Sequence, residues 1–400
     1  MDLDNKSISL VGYGKSNASL CSFLMKRGIT PIVRNQRKIP VPDGVSLITE
    51  DYLSTSEDLV FRSPVIHPSR IIARGKITSE LELALALTRG YKIGVSGSDG
   101  KTTTSTLISE ILKRAGKKTS LCGNIGIPAI ELAELSTDDS YTVCEMSSFQ
   151  LYDMKPQLDI AVITGISENH LDWHSDMQDY IDAKKNILTN AKGLVLSYDN
   201  EITRSLYDGK REVVFFTKNR IPRNAPKNAK FVHIENGVIC YEGKGIIEAD
   251  SLRLRGEFNL LNFECAIACT HDIVSTDVIA EVARDFSGVD CRMQTIKEVG
   301  GVSFVDSSID STPSRTIATI SAFEMSKIVL LLGGYDKGLS YAPLKNALKG
   351  IKCAVLCGAN STKIYNEIKD ICKIRHAKDL ENAVKIAYSE SSLGDYVIIP

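Results

Sequence analysis

The chain has 400 residues, 43% of them hydrophobic, with 48 Lys and Arg against 49 Asp and Glu for a formal net charge of -1. That length exceeds a single hydrophobic core and implies two or three domains. The near-neutral balance excludes a generally nucleic-acid-binding chain, and no apolar run approaches the ~20 residues of a membrane helix. The opening MDLDNKSISL lacks the basic and apolar regions of a signal peptide, and ten cysteines without a Cys-x-x-Cys pair read as reduced thiols. A cytoplasmic protein with no nucleic-acid and no membrane partner is expected. Cys265 and Cys269 could share a helix face, as could Cys353 and Cys357, but no histidine stands at metal-site spacing from either pair.

In chain order, Ser7 to Val11 reads as a strand, followed by Gly12-Tyr13-Gly14, a helix through Lys26, a stop at Gly28 and a strand from Thr30 to Val33. Lys92 to Val95 is the next clear strand. It enters a glycine-rich loop and a helix from Thr103 to Ala115, with Ile108, Ile111 and Leu112 on one face and Gly116 at its end. Strands follow at Tyr141–Cys144, Ile160–Thr164, Leu194–Ser197 and Val213–Phe216. The polar, basic stretch 218–230 is a surface connection before a hairpin at Glu235-Asn236-Gly237. A third block begins near Val289, with strands at Val302–Val305, Ile328–Leu332, Ala354–Cys357 and Tyr396–Ile399. Alternating strand and helix patterns predict an α/β protein of parallel sheets covered by helices, divided into 1–90, 91–288 and 289–400. The chain stops at Pro400 inside a strand pattern, so either that strand closes the fold or the sequence is incomplete.

The stretch Gly94-Val95-Ser96-Gly97-Ser98-Asp99-Gly100-Lys101-Thr102-Thr103 is a strand, a glycine loop, Gly-Lys-Thr and a helix in succession. Glycines let several amides point at phosphate oxygens, and the following helix offers its unpaired N–H groups. Lys101 then faces the β- and γ-phosphates, and the Thr102 hydroxyl joins a Mg²⁺ shell. A glycine turn with a solvated lysine is the plain alternative. Downstream, Glu145 ends an apolar strand, the edge of an open α/β sheet where ligands bind, and suits Mg²⁺. His170, Asp172 and His174 surround the only tryptophan, Trp173, after another strand.

Gly97-Ser98-Asp99-Gly100-Lys101-Thr102-Thr103 resembles the nucleotide loop of the Mur ligases, which also lacks the first glycine of the general P-loop. The likeness continues through Gly123-Asn124-Ile125-Gly126, Glu145-Met146-Ser147-Ser148-Phe149-Gln150, Asn169-His170-Leu171-Asp172, Asn259-Leu260-Leu261-Asn262, Cys291-Arg292-Met293-Gln294 and Gly333-Gly334-Tyr335-Asp336-Lys337-Gly338. It implies a Rossmann-like UDP-binding domain, a central P-loop ATPase-type domain with a parallel sheet, and a Rossmann-like C-terminal domain. It also implies ligation through an acyl phosphate, and the Ser-Ser-Phe-Gln and Gly-Gly-x-Asp-Lys-Gly stretches point to the branch joining D-glutamate to UDP-N-acetylmuramoyl-L-alanine. A monomer is expected.

By the same resemblance, Gly97 to Thr103 cradle ATP, while Thr102 and Glu145 hold one Mg²⁺ and His170 serves a second. Lys184 matches a lysine carbamylated by CO₂ that becomes an oxygen ligand; spacing alone would leave it a solvated helix residue. Asn259, Asn262, Arg292 and Asp306 match contacts to the nucleotide, and Asn259 and Asn262 could share a helix face. Asn124 and Ser147 match residues holding the muramoyl-alanine, and Lys337 one that pairs with a carboxylate of the incoming glutamate. Gly14, Lys15 and Ser16 match the diphosphate loop, Arg62-Ser63-Pro64 would form another wall of that site, and Asn35 falls at a uracil-contacting position.

Three departures stand out. Asn35 occupies a place where an acid is usual. Ser308 stands where a glutamate-contacting lysine is usual, with Arg315 nearby, and the family's last glutamate-binding loop would follow Pro400. Rival readings are a sibling ligase with another acceptor and a nucleotide-binding protein without ligase activity. A nicotinamide enzyme is disfavoured because the second strand ends in Arg34-Asn35, without a ribose-binding acid.

Overall fold

Strands β1 (Ile8–Val11), β2 (Ile32–Arg34), β3 (Ser46–Ile48), β4 (Ser54–Thr55), β5 (Leu59–Arg62), β6 (Ile72–Ala73) and β7 (Lys76–Thr78) occupy the first block. All but β4 and β6, which pair with each other, form a parallel sheet in the order β3-β2-β1-β5-β7. β1 is buried at every residue, as a strand covered on both faces must be. Helices α1 (Lys15–Met25) and α2 (Glu80–Leu87) belong to this block, and Ser79 caps α2 by accepting from the Glu82 N–H. The computed structural model describes residues 2–254, 256–310, 312–336 and 338–400.

The second block supplies β8 (Tyr91–Ser96), β9 (Thr119–Gly123), β10 (Tyr141–Glu145), β11 (Gln157–Ile163), β12 (Asn190–Ser197), β13 (Glu212–Thr217), β14 (Lys230–Glu235), β15 (Val238–Tyr241) and β16 (Lys244–Glu248). They form one nine-stranded sheet, β16-β15-β14-β13-β12-β11-β8-β10-β9. Its helices are α3 (Lys101–Arg114), α4 (Ala129–Ala133), α5 (Ser148–Leu151), α6 (Met177–Lys185), α7 (Glu201–Ser205), α8 (Glu257–Thr270) and α9 (Thr276–Asp285). The sheet is parallel except where β15 runs against β14 and β16. The expected hairpin is there: Asn236 and Gly237 both take positive φ (50° and 80°), the geometry of a two-residue turn matched to strand twist.

In the third block, β17 (Gln294–Val299), β18 (Val302–Asp306), β19 (Ile328–Gly333), β20 (Cys353–Cys357), β21 (Ile374–His376) and β22 (Tyr396–Ile399) order as β17-β18-β22-β19-β20-β21. Only β17 is antiparallel. Helices α10 (Pro313–Ile320), α11 (Leu344–Ala347), α12 (Ser361–Ile368) and α13 (Leu380–Glu390) complete it. Leu330 and Leu332 enter one buried cluster and Val329 and Leu331 another, so β19 is apolar throughout because both faces are covered.

The mixed α/β architecture with mainly parallel sheets agrees with the sequence reading. Several local boundaries differ: the strands expected to begin at Ile160 and Leu194 begin at Gln157 and Asn190. The strand expected at Thr30–Val33 lies at Ile32–Arg34, and the helix expected from Thr103 already begins at Lys101. Gly100, left-handed at φ 80°, ends the loop and lets Lys101 and Thr102 enter the first turn.

By compactness the chain forms two units, Met1–Ser251 with Leu261–Val282 and Leu252–Leu260 with Ala283–Pro400. The first two sheets share a unit because one continuous core runs from Ile8 and Leu10 through Leu83 and Ile130 to Phe215 and Phe231. Among the described residues no helix is long and apolar enough to cross a membrane.

Candidate active site

The loop between β8 and α3 tolerates only glycine at two places. A Cβ on Gly97 (φ 148°) would lie 1.9 Å from the Thr164 Oγ1, and one on Gly100 would lie 2.3 Å from the Asn262 Oδ1. Ser98 secures the loop to the segment after β11: its N–H donates to the Gly165 carbonyl (2.8 Å), and its hydroxyl donates to the Ser167 carbonyl (2.8 Å). The Tyr180 hydroxyl also lies 2.9 Å from the Ser98 Oγ. The Asp99 carbonyl accepts from the Thr164 hydroxyl. Thr102 and Thr103, both buried, stand in the first turn of α3, where helix N–H groups have no intrahelical acceptor.

Two amines converge on this loop. The Lys101 Nζ donates to the carbonyls of Gly97 (2.9 Å) and Ser98 (3.0 Å). The Lys184 Nζ donates to the same Gly97 carbonyl (2.7 Å) and lies 3.5 Å from the Ser96 Oγ. Spacing alone made Lys184 a solvated helix residue; the structure corrects that, since Lys184 is 1% exposed. Its position on α6, four residues after Tyr180, turns it inward, with its Nζ 4.7 Å from the Tyr180 ring centre. Burial, and then the neighbouring Lys101 charge, hold its amine well below the usual lysine range, against the opposing pull of Asp99 and Glu145.

Glu145 ends β10 opposite Val95 of β8 and is 1% exposed. Asn124 braces it twice: the Asn124 N–H donates to the Glu145 carbonyl (2.8 Å) and the side-chain amide to Oε1 (2.9 Å). The buried Oε2 finds no partner among the described residues. A buried carboxylate oxygen left unpaired is costly, and a hard cation would satisfy it.

His170 has a positive φ of 55°, uncommon for a residue other than glycine. Its ring lies 4.9 Å from that of Phe149, and burial, followed by Lys101 and Lys184, depresses its basicity. A neutral imidazole is the form that can ligate a metal. Among the described residues no cluster of three or more His, Cys, Asp or Glu could hold a metal ion. A magnesium shell completed by phosphate and water needs only one or two carboxylates, so Glu145, with the Thr102 hydroxyl, fits that demand.

In the first block, Gly14 caps α1 with open space where a Cβ would stand, and Ser16 is half-buried in that helix. Lys15 donates to the Gly126 carbonyl (2.9 Å). Asn35 accepts from the Tyr13 N–H (3.3 Å) and donates to the Arg37 carbonyl (2.9 Å). Asn17, at the third position of a dinucleotide fingerprint, is buried and ties the Gly12 carbonyl (2.7 Å) to the Phe61 carbonyl (3.1 Å). It is a structural staple.

Arg62 does not form the expected ligand wall. Its guanidinium, 1% exposed, pairs with Asp153 through Nε (2.8 Å) and Nη2 (2.5 Å), and its remaining donors reach the carbonyls of Phe149, Pro64 and Ile66. Ser147 caps α5 in a reciprocal box with Gln150, which engages its hydroxyl. Asn262, on α8, is buried and lies 3.3 Å from the Thr104 hydroxyl.

In the second unit, Asn259 is also buried on α8, beside Met293. Arg292 is half-buried, its backbone N–H donating to the Val289 carbonyl. Asp306 ends β18 and accepts from the Ser308 N–H (2.9 Å). Arg315 is half-buried in the first turn of α10. Lys337 lies outside the described residues.

Sequence reasoning did not single out Tyr180, whose spacing of four from Lys184 was the available signal, or Glu80. Glu80, 5% exposed at the start of α2, accepts from the Ile130 N–H (2.7 Å). Burial above all, with Glu131 adding to it, pushes its carboxyl up to about 7 against that hydrogen bond. The folded value lies above the unfolded one, so its stabilising contribution is full below about pH 4.5 and is lost as pH rises through about 7. Glu80→Gln keeps the acceptor oxygen. It is expected to raise stability in urea at pH 8 by at most about 3 kcal/mol and to leave it unchanged at pH 4.5.

Comparison with known proteins identifies the family of the chain. The Mur ligase middle domain matches residues 95–270, and the Mur ligase glutamate ligase domain matches residues 291–399. The chain is 36% identical to a UDP-N-acetylmuramoylalanine–D-glutamate ligase of Ruminiclostridium cellulolyticum, covering 100% of this chain and 92% of that protein. It is 36% identical to the protein of the same name from Acetivibrio thermocellus, covering 99% and 91%. The fold matches that of a UDP-N-acetylmuramate–alanine ligase from Thermotoga maritima, with a TM-score of 0.64, 18% identity and 99% and 95% of the two chains covered. It also matches a MurF ligase of that organism in complex with ADP, with a TM-score of 0.61, 16% identity and coverage of 98% and 90%. Relatives of this identity over nearly the whole length settle the kinship: the chain belongs to the Mur ligase family.

Proposed function

We propose that the chain joins D-glutamate to UDP-N-acetylmuramoyl-L-alanine with ATP, giving ADP and phosphate. The observation that carries this reading is the convergence of Lys101 and Lys184 on the Gly97 carbonyl, beside the unpaired oxygen of Glu145. The reaction requires the alanine carboxylate to approach the γ-phosphate of ATP. Two anions meet only where fixed positive charge lowers the cost. Lys101 and the amides of Gly97 to Thr103 hold the phosphates, and the acyl phosphate that forms is then open to the glutamate amine, with phosphate as the leaving group.

Thr102 and Glu145 hold one Mg²⁺ and His170 a second; the bound ions would neutralise phosphate charge. Lys184, short of its usual basicity, is suited to capture CO₂ as a carbamate, an oxygen ligand in place of a cation. Asn124 and Ser147 face the muramoyl-alanine, and Gly14, Lys15, Ser16 and Asn35 the uridine diphosphate. Asn259, Asn262, Arg292 and Asp306 serve the nucleotide, and Lys337 the acceptor's carboxylate. The three sequence blocks act as substrate, ATP and acceptor domains. The enzyme is read as a monomer that works in the cytoplasm, where its soluble substrates reside.

The test is a mass measurement of the product from ATP, UDP-N-acetylmuramoyl-L-alanine and single amino acids. D-glutamate is expected to give an amide product with stoichiometric phosphate. Product with another amino acid alone would favour a sibling ligase, and ATP hydrolysis without product would favour a nucleotide-binding protein.

A further inference from the structure

Behind the loop that carries His170 lies a polar chain, buried at two of its three members, to which the reaction as described assigns no role. The His174 side chain is 0% exposed; its Nδ1 lies 2.9 Å from the Asp179 Oδ2 and its Nε2 3.0 Å from the Ser148 Oγ. In the neutral ring, the Asp179 carboxylate is an acceptor only, so Nδ1 carries the proton and Nε2 accepts the Ser148 hydroxyl. The order Ser–His–Asp matches that of a nucleophilic triad, but Ser148 is 2% exposed and no substrate carbonyl can reach it. The chain therefore positions; it does not attack.

What it positions follows from its three ends. Ser148 opens α5, directly after Ser147. Asp179 is in the first turn of α6, the helix that carries Lys184. The His174 backbone N–H donates to the His170 carbonyl (3.0 Å), closing the turn that begins with the positive φ of His170. A strained residue of that kind persists only where its surroundings over-determine it. The His174 ring also packs on Trp173 (4.7 Å) and Tyr180 (5.2 Å), and the Trp173 indole donates to the Val65 carbonyl (3.1 Å).

We propose that Ser148, His174 and Asp179 form a positioning relay, buried at Ser148 and His174, that locks the His170 loop onto α5 and α6, setting the ring of His170 relative to Lys101 and Lys184. His174 is thereby a positioning residue of the ligase reaction. The inference rests on the reading above for its kinetic consequence, and on the fold alone for its structural one.

Two variants of the full chain test it, Ser148→Ala and the volume-conserving Asp179→Asn. Each is examined by steady-state kinetics, urea unfolding and amide hydrogen exchange of residues 168–175. Both are expected to keep the wild-type folded fraction and to speed exchange in that segment alone by about tenfold. Both should lower kcat by about tenfold or more while KM for UDP-N-acetylmuramoyl-L-alanine moves by less than about twofold. Unchanged exchange in the segment overturns the relay whatever the activity. So does unchanged kcat in an active enzyme, or a fall in activity equal to the loss of folded protein. If the wild-type chain forms no product, the ligase reading fails on its own, and the exchange data still decide the relay.

Discussion

Lys101→Ala is expected to lower turnover by about 10³-fold or more while the affinity for UDP-N-acetylmuramoyl-L-alanine shifts by less than about twofold. The Lys101 ammonium spans the loop from the first residue of α3, bound to two of its carbonyls. The loop does not depend on that side chain for its shape. Gly97 and Gly100 fix its backbone, and Ser98 anchors it to Gly165 and Ser167. The variant therefore removes charge from the place where phosphate charge develops and leaves the cradle standing. Phosphate release in a single turnover, with calorimetric binding of the UDP-substrate, separates the two effects. Near-normal turnover would remove this loop from the active site.

Lys184→Ala is expected to lower turnover by about 10²-fold or more, with part of the loss restored by acetate. A buried lysine whose amine is held below its usual range is neutral over a wider span of pH, and the neutral amine is the form that adds to CO₂. Acid works against this: as pH falls through the depressed value, the amine takes a proton, carbamate is lost and activity should fall with it. Wild-type activity should also drop in CO₂-depleted buffer and recover with bicarbonate, whereas the alanine variant should respond to acetate and ignore bicarbonate. Undiminished activity of the variant would place Lys184 outside the site.

The loop from Gly94 to Thr103, the strand end at Glu145 and the hairpin at Asn236-Gly237 could all be identified from local pattern. Each is set by residues close in sequence: glycines at positive φ, an apolar run, a two-residue turn. What escaped depends on distant partners. Lys184 is on a helix whose polar spacing suggested solvent, and only its packing against Ser96, Gly97 and Tyr180 buries it. Arg62, placed by resemblance at a wall of the diphosphate site, ends β5, and Asp153, 91 positions away, consumes it. The hairpin turn sets β15 against β14, but no local pattern stated that β16 and β17 would also pair antiparallel with their neighbours. The His174 relay joins residues 26 and 5 positions apart, and no motif spacing announces it.

The most direct test of the central claim, activation of a carboxylate by phosphoryl transfer, follows oxygen. UDP-N-acetylmuramoyl-L-alanine labelled with heavy oxygen in the alanine carboxylate is incubated with ATP, Mg²⁺ and D-glutamate, and the released phosphate is analysed by mass. One labelled oxygen per phosphate is predicted, because the carboxylate oxygen that receives the phosphoryl group departs with it. Unlabelled phosphate accompanying amide product would contradict the account.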